Sequence, residues 1–125
     1  MARGTISQKR ILLVEDDLPI RNLLKVVLLQ GDHTVVEARN GLEALALFKR
    51  QQFDLVVTDL DMPGMRGDLL VLEIKRLMPE QPIILMTADR GSLQGIEQVP
   101  NMILDKPFPM QRLHSAVASL LDSAR

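Results

Sequence analysis

Short apolar runs alternate with longer amphipathic patterns along the chain, and this alternation constrains the fold more than any other feature. The runs are rich in Val, Ile and Leu, and the segments between them carry apolar residues at helical spacing. The runs are residues 11–14, 34–36, 55–57, 83–86 and 102–104. Alternating strands and helices predict an α/β fold with a parallel sheet, and continuously apolar strands predict helices on both of its faces.

The segment after the first run gives a clear helix signal. Asp17 and Pro19 are typical of a helix start, and Gly31 is typical of its end. We expect Asp17 to cap the helix rather than to bind a metal, because a carboxylate there accepts from free amides. The residues expected to face the core are Ile20, Leu23, Leu24, Val27 and Leu28.

Three further segments carry helix signals, and these signals differ in how regular the apolar spacing is. The second begins at Asn40, with Glu43 as a capping partner and with Leu45 and Phe48 facing inward. The third covers about 68–78, and the last has the most regular apolar spacing. Their expected core residues are Leu70, Ile74 and Leu77, then Leu113, Ala116, Val117, Leu120 and Leu121. Residues 91–98 have little periodicity and predict only a short or frayed helix.

Composition excludes several classes of function. The chain has 125 residues, which is the usual size of a single domain. Its net charge of −1 offers no basic field, so we expect neither a nucleic-acid nor a membrane partner. The absence of cysteine excludes disulfides and thiolate chemistry. No apolar stretch is long enough to cross a bilayer and residues 1–17 lack a signal-peptide pattern, so we expect a cytoplasmic protein.

Acidic and polar residues follow most of the apolar runs, at the edge where a parallel sheet binds its ligands. The residues at these strand ends include Glu15, Asp16, Asp59, Thr87 and Lys106. Carboxylates brought together raise each other's pKa unless a cation lies between them. We therefore predict a Mg²⁺ or Mn²⁺ site with Glu15, Asp16 and Asp59 as ligands. The backbone carbonyl of Asp61 or of a neighbour is expected to complete it.

The same residues supply what phosphoryl transfer requires. Asp59 is the predicted nucleophile, and the cation would neutralise one side of the transferring group. Lys106 is expected to pair with a phosphoryl oxygen, and the hydroxyl of Thr87 to donate a hydrogen bond to another.

The chain is similar to response-regulator receiver domains from Lys9 to about Leu121. The similarity rests on four blocks in order, which are ILLVEDD at 11–17, LVVTDLDMPGM at 55–65, LMTA at 85–88 and DKPF at 105–108. It implies a doubly wound sheet of five parallel strands in the flavodoxin-like order 2-1-3-4-5. The expected domain covers 9–122, with an N-terminal extension at 1–8 and a tail at 123–125.

The resemblance also implies roles for individual residues. Glu15 and Asp16 hold magnesium, and Asp59 accepts a phosphoryl group from a histidine kinase or a phosphotransfer protein. Thr87 and Lys106 read out the phosphorylated state. The Lys106–Pro107 peptide bond is expected to be cis, an isomer that proline makes accessible.

The chain departs from the family pattern in its signalling half. Receivers often carry Tyr or Phe three residues before the lysine, where this chain has Ile103, and it contains no Tyr. We therefore expect Thr87 to act through the backbone or through aliphatic packing. The segment from Thr87 to Lys106 is also short, which changes the usual output surface.

Two alternative functions remain open from the sequence. Asp59 and Asp61 resemble the nucleophile and acid/base pair of haloacid-dehalogenase phosphohydrolases, although Pro63 and the acids at 15 and 16 do not suit that family. A phosphorylation-independent adaptor receiver is the other. In the receiver interpretation the chain is a signalling module rather than an enzyme, and Asp61 tunes the phosphoryl lifetime.

Residues beyond the strand ends add little to the functional prediction. We assign no role to His33 or His114, and we expect Met62 to lie near the site. We expect no output module after the last helix, and we therefore expect signalling by protein contact. The sequence does not separate a stand-alone regulator from a receiver of a larger protein such as a hybrid kinase.

Overall fold

The computed structural model describes residues 8–93 and 95–123, and within them a parallel sheet is flanked by helices. The strands are β1 (Arg10–Val14), β2 (Thr34–Ala38), β3 (Leu55–Asp59), β4 (Ile83–Thr87) and β5 (Met102–Asp105). The helices are α1 (Leu18–Leu29), α2 (Gly41–Arg50), α3 (Gly67–Leu77) and α4 (Met110–Ser123). The predicted extension at 1–8 lies almost wholly outside the described residues, as do the last two residues of the predicted tail.

The predicted strand order is confirmed. The five strands are parallel and lie in the order β2-β1-β3-β4-β5. Alternate residues of β1 face opposite sides, so that Leu12 and Val14 pack with α2 and α3 while Ile11 and Leu13 pack with α1 and α4. This two-sided burial explains why the strands read as continuous apolar runs.

Local chemistry sets where the first two helices begin. Asp17 is the N-cap of α1, and its Oδ1 accepts from the backbone N–H of Ile20 at 3.0 Å. Asn40 caps α2 by accepting from the N–H of Glu43 at 2.8 Å. The Glu43 carboxylate in turn accepts from the N–H of Arg39, one residue earlier than a capping box requires.

Some predicted core positions are wrong. Ile20 and Leu23 are 43% and 53% exposed, and Leu77 is 43% exposed. Leu24, Val27 and Leu28 form the buried face of α1, and Val71 joins Leu70 and Ile74 on α3. Periodicity therefore predicted the buried residues Leu24, Val27 and Leu28 of α1 correctly, but it added Ile20 and Leu23 to the same face because apolar residues lie on several sides of this helix.

The predicted weak helix before β5 is reduced to a single turn. A 3₁₀ turn covers Arg90–Ser92, and no α-helix is formed between β4 and β5 in the part of that segment that the structure describes. Leu93 is fully buried and anchors the segment to the core. No helix in the described part of the chain is both long enough and apolar enough to span a membrane.

Candidate functional site

The sequence-predicted residues meet at the carboxyl ends of the strands. Asp59 is the last residue of β3, Thr87 is the last of β4, and Glu15 and Lys106 directly follow β1 and β5. Backbone hydrogen bonds fix these ends: Leu60 N–H donates to Met86 O at 2.9 Å, and Lys106 N–H donates to Thr87 O at 2.7 Å. The sheet register therefore determines which side chains share the site.

Glu15, Asp16 and Asp59 form a carboxylate cluster. One oxygen from each lies within 4.8 Å of the others. Glu15 and Asp59 are buried, whereas Asp16 is exposed. Glu15 Oε2 accepts from Asp17 N–H at 3.1 Å, but the buried Oε1 has no hydrogen-bond partner. A buried carboxylate oxygen without a partner is costly, and an all-oxygen set with one such atom suits a hard divalent cation.

The electrostatics of Glu15 support this interpretation. Burial raises its pKa from 4.5 to about 7, the N–H of Asp17 opposes the rise, and the neighbouring Asp59 charge adds to it. At neutral pH without a cation, the carboxylate is therefore only partly ionised. A bound cation would favour the ionised form.

Asp59 is held by an ion pair with Lys106. The ammonium Nζ lies 2.5 Å from Asp59 Oδ1, and the Asp59 side chain is almost fully buried. Burial raises the pKa of Asp59, and the Lys106 ammonium opposes that rise. The Lys106–Pro107 peptide bond is cis. The arrangement holds a buried carboxylate in a short ion pair with a partly exposed ammonium group.

Thr87 and Asp61 lie in different environments. Thr87 is fully buried, and its Oγ1 accepts from the N–H of Asp89 at 2.9 Å, which leaves its own proton available for donation. The side chain of Asp61 does not join the carboxylate cluster. It is 64% exposed, and its Oδ1 lies 3.8 Å from Arg66 Nη1.

Gly67 is a site-positioning residue that the sequence reasoning missed. A Cβ on it would lie 2.1 Å from the carbonyl oxygen of Asp59. Its N–H donates to the carbonyl of Leu60 at 2.9 Å, which closes the loop after β3 onto the strand end. A glycine at a helix start eight residues after the acidic strand end was the available signal. Its absent side chain lets α3 begin against the backbone of Asp59.

Arg21 also supports the site from outside it. Its Nη1 donates to the carbonyl of Glu15 at 2.9 Å, and its Nε pairs with Glu37 at 3.0 Å. Lys25 pairs with the other oxygen of Glu37 at 2.9 Å. The first turns of α1 are thereby tied to the end of β1.

The side chains to which we assigned no chemistry do not belong to the carboxylate cluster. Met62 is buried in the core cluster beneath α2 and α3. His33 is buried with its Nδ1 accepting from Lys9 N–H at 3.2 Å, and it lines a small cavity with the exposed His114. Neither histidine belongs to the carboxylate cluster.

An apolar cleft opens beside the cluster, between α1 and the start of α4. It has a volume of about 250 Å³ and includes both Glu15 and Lys106 in its lining. Its apolar wall includes Ile20, Leu23 and Phe108. Ile20 and Leu23 of α1 therefore line a cleft next to the site rather than pack in the core.

Comparisons with known proteins give a consistent family assignment. The family model described as "Response regulator receiver domain" matches residues 11–118. The response regulator protein FleR of Pseudomonas aeruginosa is 38% identical over 87% of this chain and 24% of its own length. ResD of Bacillus subtilis is 34% identical over 94% of this chain and 50% of its own. The chain thus spans about a quarter of the length of FleR and half the length of ResD.

Solved structures share the fold over nearly the whole chain. The response regulator TrrA of Thermotoga maritima, whose structure was determined in complex with Mg(2+)-BeF, is 34% identical with a TM-score of 0.83. That match covers 90% of this chain and 99% of TrrA. The chemotaxis protein CheY4 of Vibrio cholerae is 26% identical with a TM-score of 0.82, over 91% of this chain and 99% of its own.

Proposed function

This chain belongs to the response regulator receiver domain family, and from that premise we propose that Asp59 is its phosphoacceptor. The phosphoryl donor is a histidine kinase or a phosphotransfer protein. Glu15, Asp16, Asp59 and the backbone carbonyl of Asp61 would hold Mg²⁺. The observation that carries the proposal is the carboxylate cluster itself, in which the buried Glu15 Oε1 lacks a partner beside the Asp59–Lys106 ion pair.

The chemistry is a single phosphoryl transfer. A carboxylate oxygen of Asp59 attacks the phosphorus of phosphohistidine, an O–P bond forms, and the P–N bond breaks with its electron pair remaining on the imidazole nitrogen. Bound Mg²⁺ supplies charge neutralisation on the phosphoryl oxygens. Lys106 moves from pairing with Asp59 alone to pairing with a phosphoryl oxygen. The Thr87 hydroxyl donates to another while it still accepts from Asp89 N–H.

Signal transmission proceeds through the backbone between β4 and β5. Thr87 and Lys106 are joined by the backbone hydrogen bond of 2.7 Å. Asp105 pairs with both Arg90 Nε at 3.1 Å and Nη2 at 2.8 Å, which links the 3₁₀ turn to the end of β5. Receivers often carry an aromatic residue at the position of Ile103, and this chain cannot use such a side chain to transmit a signal. A shift of Thr87 is instead transmitted through these backbone and ion-pair contacts to the 3₁₀ turn. The changed surface then signals by protein contact.

The chain acts as a cytoplasmic signalling module and not as an enzyme on external substrates. Asp61 tunes the lifetime of the phosphoryl group from its exposed position near the site. The dehalogenase-like alternative is not favoured, because the Asp61 carboxylate pairs with Arg66 outside the cluster. That alternative also leaves the Glu15 and Asp16 carboxylates without a role.

Beryllium fluoride tests the proposal without a kinase. In the presence of Mg²⁺, we expect NMR shifts around Asp59, Thr87 and Lys106 in the wild type and none in the Asp59→Asn variant. The wild type and Asp59→Asn should have similarly dispersed NMR spectra before beryllium fluoride is added. Unchanged wild-type shifts at saturating beryllium fluoride would instead support a phosphorylation-independent adaptor.

A further inference from the structure

Arg66 occupies a position where its side chain is locally unfavourable. It is the N-cap residue of α3 and makes no side-chain capping hydrogen bond. Short polar residues are preferred at such positions because they accept from the free amides of the first turn. A cation at this end also opposes the positive end of the helix dipole. Residues that break a local preference, such as the preference for a short polar N-cap, often do so at functional sites. A functional role for Arg66 would therefore come from the other contacts of its side chain.

Those contacts are with Asp68 in the first turn of α3 and with Asp61 in the loop after β3. Nε and Nη2 lie 3.3 and 3.4 Å from the two carboxylate oxygens of Asp68, and Nη1 lies 3.8 Å from Asp61 Oδ1. Asp68, with weaker contributions from Asp61 and Asp89, raises the pKa of Arg66 above its ordinary value. The guanidinium therefore lies in the field of an acid from α3 and, more weakly, of acids from the loops that follow β3 and β4.

The backbone at Arg66 is fixed relative to Asp59. The next residue, Gly67, packs against the Asp59 carbonyl and donates its N–H to Leu60 O at 2.9 Å. Asp68 is anchored too, because its Oδ1 also accepts from the N–H of Leu69 at 2.9 Å. The Arg66 side chain thus contacts Asp61 from a backbone position that is fixed relative to Asp59. Asp61 lies two residues after Asp59, the proposed phosphoacceptor.

We propose that Arg66 is a positioning residue that holds the Asp61 carboxylate outside the phosphoacceptor site and neutralises its charge there, so that an anionic phosphodonor can approach Asp59. This inference rests on the proposed phosphorylation of Asp59. Without Arg66, the Asp61 carboxylate is free to turn towards Asp59, where it repels the incoming phosphoryl group. The penalty grows with the negative charge of the donor.

The test compares two small phosphodonors of different charge. Acetyl phosphate carries more negative charge than phosphoramidate at neutral pH, and intact-mass analysis can follow the phosphorylation rate with each donor. We expect Arg66→Gln to slow the reaction with acetyl phosphate about threefold, the size that one exposed charge pair supports, and the reaction with phosphoramidate less. Arg66→Lys should lose less, and added salt should shrink the difference.

A control and a rescue separate this role from a general effect on folding. Arg76→Gln removes the same charge from α3 and breaks an exposed pair with Glu73, at the end of the helix far from Asp59. It should leave both rates unchanged. Adding Asp61→Asn to Arg66→Gln should restore the rate with acetyl phosphate. Because removing a negative charge near Asp59 can speed the reaction by itself, Asp61→Asn alone is the reference for the double variant. If Arg66 acts through Asp61, Arg66→Gln should cause no further slowing in that background.

The outcomes distinguish failure of the proposed phosphorylation of Asp59 from failure of the proposed role of Arg66. If the wild type is not phosphorylated by either donor, the proposed function fails. If the wild type is phosphorylated but Arg66→Gln reacts at the wild-type rate with both donors, only the role of Arg66 is overturned. A uniform slowing with both donors that Asp61→Asn does not rescue also overturns it, because Arg66 would then be merely structural.

Discussion

Replacing Glu15 with Gln should stabilise the metal-free protein while abolishing its response to Mg²⁺. The wild-type carboxylate is buried beside Asp59 and Asp16, and its Oε1 has no hydrogen-bond partner. An amide of nearly the same shape removes the charge and the repulsion. It can still accept from the N–H of Asp17, as Glu15 Oε2 does at 3.1 Å.

The magnitude follows from the pKa of Glu15. Its rise from 4.5 to about 7 corresponds to about 3 kcal/mol of unfavourable ionisation in the folded state. Because the folded pKa lies above the unfolded one, the native state retains a proton that the unfolded chain has lost. The free energy of unfolding therefore falls as pH rises from about 4.5 to 7 and levels off above. The neutral amide also incurs a burial cost, so we expect a net gain of about 2 kcal/mol above pH 7.

Urea unfolding followed by circular dichroism measures this directly. Wild type and Glu15→Gln should have similar stabilities near pH 4.5 and should diverge as the pH approaches 8 in EDTA. Millimolar Mg²⁺ should raise the stability of the wild type and leave Glu15→Gln unchanged. Glu80→Gln, which removes an exposed carboxylate, serves as the control and should follow the wild type.

Two results would refute the reasoning. One is a Glu15→Gln variant that is less stable than the wild type at pH 8 in EDTA, since the buried carboxylate would then be stabilising by itself. The other is equal stabilisation of both proteins by Mg²⁺, which would place the cation elsewhere.

Three further variants test the rest of the site. Gly67→Ala should lower the free energy of unfolding in urea by about 3 kcal/mol, because the new methyl group collides with the Asp59 carbonyl. This variant should also no longer be phosphorylated. Lys106→Met should lower the free energy of unfolding by about 2 kcal/mol at pH 7, which is less than the loss of a fully buried ion pair costs, because Lys106 is partly exposed. The loss should be smaller at low pH, where Asp59 is protonated. Leu23→Ala, on the exposed side of α1 beside the cleft, should slow transfer from a phosphohistidine donor domain about fivefold and leave the acetyl phosphate rate unchanged. Wild-type stability of Gly67→Ala or Lys106→Met, or equal slowing with both donors for Leu23→Ala, would contradict these expectations.

The sequence predicted the parts of this molecule that depend on strand chemistry. Each strand begins within one residue of its predicted start, and the residues that end the runs meet at one edge because parallel strands align their carboxyl ends. The carboxylates of Glu15, Asp16 and Asp59 could be grouped for that reason. Asp17 was likewise identifiable as a cap, since capping depends only on neighbouring residues.

The errors and omissions concern contacts between elements. In α1 the apolar residues surround the helix, so only packing decides that Leu24 is buried and Leu23 exposed. The roles of Gly67 and Arg66 depend on how closely α3 approaches β3, a distance that no local pattern encodes. The pairing of Asp61 with Arg66 is equally a consequence of the loop path.

Intact-mass analysis with acetyl phosphate and Mg²⁺ tests the central claim most directly. The wild type should gain the mass of one phosphoryl group, with the modification located at Asp59. Asp59→Asn should gain none, and EDTA should prevent the gain in the wild type. A wild type that stays unmodified at saturating donor, or that carries the group on another residue, would contradict the account.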